Sequence, residues 1–263
     1  MPNRKTRDRQ LAKLAARRAA VRRKRKRNRA WTMAVASILV VGLAVLLIFV
    51  AFPVGRKKPA ALATHSPTPA PTARAPAVAC GGTVPKAASV TKPQFKNAPA
   101  ITIDTKKTYT ATMVTSCGTI TLQLLPKVAP VTVNSFVFLA DHHFFDGQVF
   151  HRIAQNPPVI QGGDPTGTGS GGPGYSFKDE LNNKLTYTAG TLAMANSGPN
   201  TNGSQFFIMT AADPQLPHNY TIFGKVLSGM DIVQKITQVP LGGQTGETPL
   251  SKVYMVKVTI KVS

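Results

Sequence analysis

Residues 193–208 read AMANSGPNTNGSQFFI. The middle of this run crowds Ser197, Gly198, Pro199, Asn200, Asn202 and Gly203 together. That mixture marks a constrained loop, because Gly supplies positive φ, Pro presets φ and Asn bonds its own backbone. The run closes on Gln205, Phe206, Phe207 and Ile208, a short apolar stretch of strand character. Neighbouring side chains in a strand face opposite sides. One phenylalanine then enters a core while the other faces a site. A polar loop feeding such a strand can wall a small apolar pocket. A plain loop-and-strand corner is the competing reading.

Two further blocks decide between them. Phe150-His151-Arg152-Ile153 is followed by Gln161-Gly162-Gly163-Asp164, and Phe223-Gly224-Lys225-Val226 is followed by Gly229-Met230. With residues 193–208 they lie in family order over residues 108–262, and together they resemble the cyclophilins, the peptidyl-prolyl cis-trans isomerases. The resemblance implies a mostly β domain, a closed eight-stranded antiparallel β-barrel capped by two helices. Its interior would be packed, and its active groove would lie on the outer face.

The chemistry this implies is modest in its demands. Rotation about an X–Pro bond crosses a barrier of about 20 kcal/mol, set by the double-bond character of C–N. No bond breaks, so the reaction calls for no nucleophile, metal or cofactor. As the amide twists, its nitrogen becomes a hydrogen-bond acceptor. A fixed guanidinium donates to it without deprotonating. Carried over by motif, Arg152 matches the catalytic arginine and Gln161 its hydrogen-bond partner. Ala195 and Asn196 match the pair whose backbone binds the substrate chain. Gln205 and Phe207 match the Gln and second Phe of the Gln-Phe-Phe run, with Phe207 as floor of the proline pocket. Leu216 matches a pocket leucine.

Several positions depart from the family pattern. Arg152 to Gln161 spans one residue more than usual. Pro158-Val159 stands where a Phe-Met pair is usual, so Val159 forms a thinner apolar wall. Gln215 aligns with the Trp of cyclosporin-sensitive members, so weak cyclosporin binding is expected. Tyr220 aligns with the usual pocket His, a replacement associated with bacterial members. For Arg152 the bland alternative is a surface ion pair, and His151 is expected to point the opposite way into packing.

The charge of the 263-residue chain is unevenly placed. The formal net charge is +22. Residues 1–30 hold 14 Lys or Arg and one acid, Asp8. Residues 31–100 hold seven basic residues and no acid, and residues 101–263 hold 11 against nine acids. The basicity therefore belongs to a tail, where it suggests nucleic acid or anionic lipid. Residues 31–52 carry no charge over 22 positions, with Trp31 at one end. As a helix they would span about 33 Å, enough to cross a hydrocarbon core of about 30 Å. This favours lipid over nucleic acid as the partner of the tail. A secretory signal peptide is the alternative, though its basic and apolar regions would be unusually long. Val78-Ala79-Cys80 resembles part of a lipoprotein box but lies far from the apolar run. The positive-inside rule puts the N-terminus in the cytoplasm and the rest outside. Residues 53–100 are rich in Pro, Ala and Thr and read as an extended linker.

The two cysteines, Cys80 and Cys117, both follow the apolar run. On an oxidising side they could form a bridge; two unrelated thiols are the alternative. Scattered His and no further Cys indicate no metal site. Within 101–263 the patterns predict strands over 108–115, 118–124, 148–153, 192–195, 205–209, 221–226 and 253–262. They predict helices over 130–140 and 231–236. The Gly-rich run 162–174 lacks the ending of a phosphate loop. The function expected is a membrane-anchored isomerase assisting exported or surface proteins to fold. The alternative is a proline-binding chaperone module with little turnover.

Overall fold

A computed structural model of the chain describes residues 78–181 and 184–263. The basic tail (1–30), the apolar span (31–52) and the linker up to residue 77 lie outside the described residues. Among the described residues no helix is long and apolar enough to cross a membrane.

Alternating patterns dominate the start of the fold. In β1 (Tyr109–Thr115) the residues Tyr109, Ala111 and Met113 are buried, and those between face outward. β2 (Gly118–Leu124) buries Ile120, Leu122 and Leu124 in the same way. Helix α1 (Pro130–Asp141) follows, with Pro in its first turn, where the missing N–H does no harm. It buries Val133, Phe136, Leu139 and Ala140. Ala129 offers no side-chain cap. A distant carboxylate replaces it: Glu180 accepts from the Val131 N–H at 3.0 Å, the Thr132 N–H at 2.9 Å and the Thr132 hydroxyl at 2.7 Å. A negative charge there also suits the positive end of the helix dipole.

The remaining elements are β3 (Arg152–Gln155), β4 (Pro158–Gly162), β5 (Thr191–Met194), β6 (Phe206–Met209) and β7 (Ile222–Ser228). Helix α2 (Met230–Thr237), a short β8–β9 hairpin (Leu241–Gly242, Thr248–Pro249) and β10 (Met255–Val262) complete them. Eight strands form one antiparallel sheet in the order β10-β1-β2-β7-β5-β6-β4-β3. The sheet curls around a core centred on Phe136, whose ring lies 4.8 Å from Phe145, 5.7 Å from Phe206 and 5.5 Å from Phe223.

Two expectations need correction. The sheet is curled but is not a closed barrel, because among the described residues no ladder joins β10 to β3. Among the described residues that gap is spanned by the isolated bridge Val149 to Tyr254 and by the Gly147 N–H donating to the Met255 carbonyl at 2.6 Å. The edge of β3 is occupied otherwise: the Ile153 N–H donates to the Glu247 carbonyl of the β8–β9 hairpin at 2.9 Å. For the same reason the strand expected over 148–153 is shorter, and residues before Arg152 bond to those around Val253 and Met255.

The second correction concerns the linker. Residues 78–100 pack on the domain. Ala79 is buried, and its N–H donates to the Lys252 carbonyl at 2.9 Å. The Phe95 ring meets Phe138 at 4.8 Å, and its N–H donates to the Pro173 carbonyl at 2.8 Å. Asn134 holds the end of the strap, donating to the Ala100 carbonyl and accepting from the Thr102 N–H. Pro and Ala are poor at building periodic patterns, so sequence shows a spacer where aromatic and backbone contacts make a strap.

A disulfide joins Cys80 to Cys117 across 37 residues. Closing a loop of that size stabilises by about 3–4 kcal/mol in the chain-entropy model. The double substitution Cys80→Ser/Cys117→Ser should lower Tm by about 10 °C in a calorimetric scan. An unchanged Tm would show that the strap is held by its packing alone.

Candidate active site

Strand parity sorts the side chains of β3 to β6. Ile153, Ile160, Leu192, Phe206 and Ile208 enter the main core. Arg152, Ala154, Val159, Gln161, Ala193, Phe207 and Met209 alternate with them on the other face. Register then aligns that face. Arg152 pairs with Gln161, Gln161 with Phe207, and Phe207 with Ala193. Arg152 and Phe207 are thus two ladder steps apart, about 10 Å at the usual strand spacing. The β3–β4 ladder runs unbroken from Arg152 and Gln161 to Gln155 and Pro158, so the additional residue leaves the pair opposed.

The apolar part of this face is a second cluster: Ala154, Val159, Tyr187, Ala193, Phe207, Met209 and Ile222. Ala195, Leu216 and Tyr220 pack against it from the rim. The Tyr220 ring stands edge-on to Phe207 at 5.5 Å. Tyr187, unmarked in the sequence, anchors that rim. Its hydroxyl donates to the Tyr220 carbonyl at 2.9 Å and accepts from the Tyr220 N–H at 3.1 Å. Burial pushes the Tyr187 hydroxyl pKa up, against the bond to the Tyr220 backbone, so it stays a donor. Asp213 accepts from the N–H groups of both Gln215 and Leu216, shaping the loop that carries the pocket leucine.

Beside the apolar cluster runs a chain of polar side chains. Arg152 Nε donates to Glu247 Oε2 at 2.7 Å, Nη2 to Glu247 Oε1 at 3.3 Å, and Nη1 to Gln161 Oε1 at 3.2 Å. Gln161 Nε2 donates to Gln205 Oε1 at 3.0 Å. Gln205 Nε2 donates to the carbonyls of Gly169 and Gly171. A guanidinium has five N–H groups. Among the described residues three are engaged, which leaves one on Nη1 and one on Nη2 for a ligand. The Arg152 side chain is about one third exposed.

A cavity of about 530 Å³ adjoins this chain. Gln161, Gln205, Ala195 and Asn196 line it, with the loop 169–174 and Gln94 from the strap. The Ala195 N–H donates to the Gln205 carbonyl at 3.0 Å. The Asn196 side chain donates to the Asn219 carbonyl and accepts from the Gly198 N–H, so it braces its own loop. Asn202 is fully buried and donates to Asp179, which also accepts from the Asn200 N–H. The Gly-rich loop is organised by Asp164. Its carboxylate accepts from the N–H groups of Thr166, Thr168 and Gly169 and from the Thr166 hydroxyl. Burial alone would raise its pKa, but these bonds hold it below the usual carboxylate range. His151 lies next to Arg152 with both ring nitrogens shielded and, among the described residues, without a hydrogen-bond partner. Burial lowers its pKa, with Asp164 opposing and Arg152 reinforcing, so the ring is neutral near pH 7.

The fold therefore gathers Arg152, Gln161, Val159, Ala195, Gln205, Phe207, Leu216 and Tyr220 around one outward face. Cys80 and Cys117 sit apart, at the β1–β2 turn, and Gln215 is exposed. Sequence reasoning missed Glu247, 95 positions from Arg152 in a Gly-Thr-rich turn that carries no local signal.

The family model for the cyclophilin type peptidyl-prolyl cis-trans isomerase/CLD matches residues 110–260. The chain is 47% identical over 150 residues to the peptidyl-prolyl cis-trans isomerase-like 1 of Neurospora crassa, covering 56% of this chain and 90% of that one. It is 44% identical over 165 residues to the probable peptidyl-prolyl cis-trans isomerase B of Mycobacterium tuberculosis, covering 56% of this chain and 53% of that one. A crystal structure of a cyclophilin-type isomerase from Cryptosporidium parvum aligns with TM-score 0.55 at 33% identity, covering 59% of this chain and 98% of that one. The same Cryptosporidium protein in the presence of the dipeptide Ala-Pro aligns with TM-score 0.54. With its fold and more than half of its length matched, the chain belongs to the cyclophilin-type peptidyl-prolyl cis-trans isomerases.

Proposed function

We propose that this isomerase is anchored in a bacterial membrane and turns X–Pro bonds in exported or surface polypeptides, assisting their folding. The observation that carries the catalytic part is the alignment of Arg152, Gln161 and Phe207 in one outward row. The proline ring of the substrate rests on Phe207, between Val159, Leu216 and Tyr220. The flanking chain lies along Ala195 and Asn196, next to Gln205. The two unengaged N–H groups of Arg152 face the amide. One grips the carbonyl and the other donates to the nitrogen as it loses planarity. Donors already aimed where the new lone pair forms favour the twisted state over the planar one. Arg152 keeps its proton throughout, as a guanidinium must. The dipeptide Ala-Pro, present in one structure of the Cryptosporidium relative, carries one X–Pro bond of the kind this face would hold.

The anchor is supported by the uncharged run 31–52 behind a strongly basic segment. The Cys80–Cys117 bridge supports an oxidising compartment for the domain. Tyr220 supports the bacterial source. Gln215, exposed where a Trp marks cyclosporin-sensitive members, supports weak cyclosporin binding. One observation favours a second reading, a proline-binding chaperone module: Pro158 and Val159 give a shallower wall than the family's larger pair.

In a protease-coupled assay on a Pro-containing peptide, Arg152→Ala should lower kcat/KM about a hundredfold. Equal rates for variant and wild type would remove the catalytic assignment. A wild-type rate at the uncatalysed background, with peptide binding intact, would establish the chaperone reading. A protease added to intact cells should remove the domain and spare an N-terminal tag, whereas a protected domain would refute the topology.

A further inference from the structure

We propose that Glu247 is a positioning residue for the isomerisation, acting only through the guanidinium of Arg152. The inference rests on Arg152 being the donor to the twisting amide. Glu247 grips that guanidinium with both carboxylate oxygens, at 2.7 Å on Nε and 3.3 Å on Nη2. Such a fork fixes the plane of the group as well as its position. Glu247 is itself fixed from behind. Its backbone carbonyl accepts from the Ile153 N–H at 2.9 Å, so its main chain is tied to the strand that carries Arg152. The turn delivering it has positive φ at both Gly243 and Gly246, a path that side-chain-bearing residues rarely take.

The alternative is that the pair only stabilises the fold. Both side chains are about 30% exposed. Ion pairs so open to water contribute little to stability. The geometric effect is larger. Without Glu247 a single bond to Gln161, at 3.2 Å, would hold a side chain with four torsions. The bidentate grip also selects which donors stay unengaged. It occupies Nε and one face of Nη2, and turns the remaining N–H groups away from itself. The carboxylate cannot take the proton of a guanidinium, so its role is orientation.

The test uses the full chain in micelles, with the variants Glu247→Ala and the isosteric Glu247→Gln. In the protease-coupled assay kcat should fall about tenfold in Glu247→Ala and less in Glu247→Gln, with KM nearly unchanged, as for a misplaced catalytic group. The Arg152 Nε–H resonance should be sharp in the wild type and broadened in Glu247→Ala. Because Glu247 acts through Arg152, adding Glu247→Ala to Arg152→Ala should lower the residual rate no further. A wild-type kcat in Glu247→Ala would overturn the proposal, as would a further loss in the double variant. A wild-type rate in Arg152→Ala alone would overturn the catalytic reading beneath it, and the proposal with it.

Discussion

Phe206 and Phe207 sit next to each other in β6 and serve opposite sides of the sheet. Phe206 is fully buried among Phe136, Phe145 and Phe150. Phe207 joins the outer cluster against Tyr187 and Tyr220. Side-chain period in a strand is two, so a slip of one residue would exchange them. It would also move Gln161 out of line with the floor of the groove. The strand is held on both flanks, by β4 and by β5, so core packing and site alignment are fixed by one register. Neither can be altered without the other.

The polar side of the site follows a different logic. Arg, Gln and Glu side chains lose much rotamer freedom when ordered. Here each is held by the next, from Glu247 through Arg152, Gln161 and Gln205 to the carbonyls of Gly169 and Gly171. The far end of that chain is a loop shaped by Asp164, whose carboxylate gathers the backbone N–H groups of Thr166, Thr168 and Gly169. The strap reaches the same loop: Gln94 donates to the Gly172 carbonyl and Phe95 to that of Pro173. The guanidinium is therefore positioned by structure drawn from both ends of the domain.

Legibility in the sequence tracks how local each signal is. The β1–β2 pair and α1 lie where alternation and helical spacing put them, because each element shows its own period. The Phe206–Phe207 split could be argued from parity alone. Arg152, Gln161 and Phe207 were readable only as motif positions, since their alignment depends on ladders between separate strands. Glu247 and Tyr187 were not readable, as each matters through a partner more than 30 positions away. The strap was misjudged because Pro and Ala look alike in a spacer and in a packed segment. The sheet remains open because the edge of β3 meets the β8–β9 hairpin, a pairing two residues long that leaves no periodic trace.

Charge placement follows from what the reaction requires. Rotation about an X–Pro bond moves no net charge and needs no ionised substrate. A domain that performs it gains nothing from a strong field to steer ligands. Residues 101–263 are accordingly close to balance, with 11 basic residues and nine acids. The one guanidinium at the groove has its charge matched by Glu247, so what it offers a substrate is directed N–H groups more than long-range attraction. The large positive charge lies ahead of the uncharged run 31–52, where the proposed anchor would use it to set orientation. A basic segment of that size next to the groove would instead attract anionic segments of chains regardless of proline. Keeping it outside the domain leaves recognition to the apolar socket and the two unengaged donors beside it.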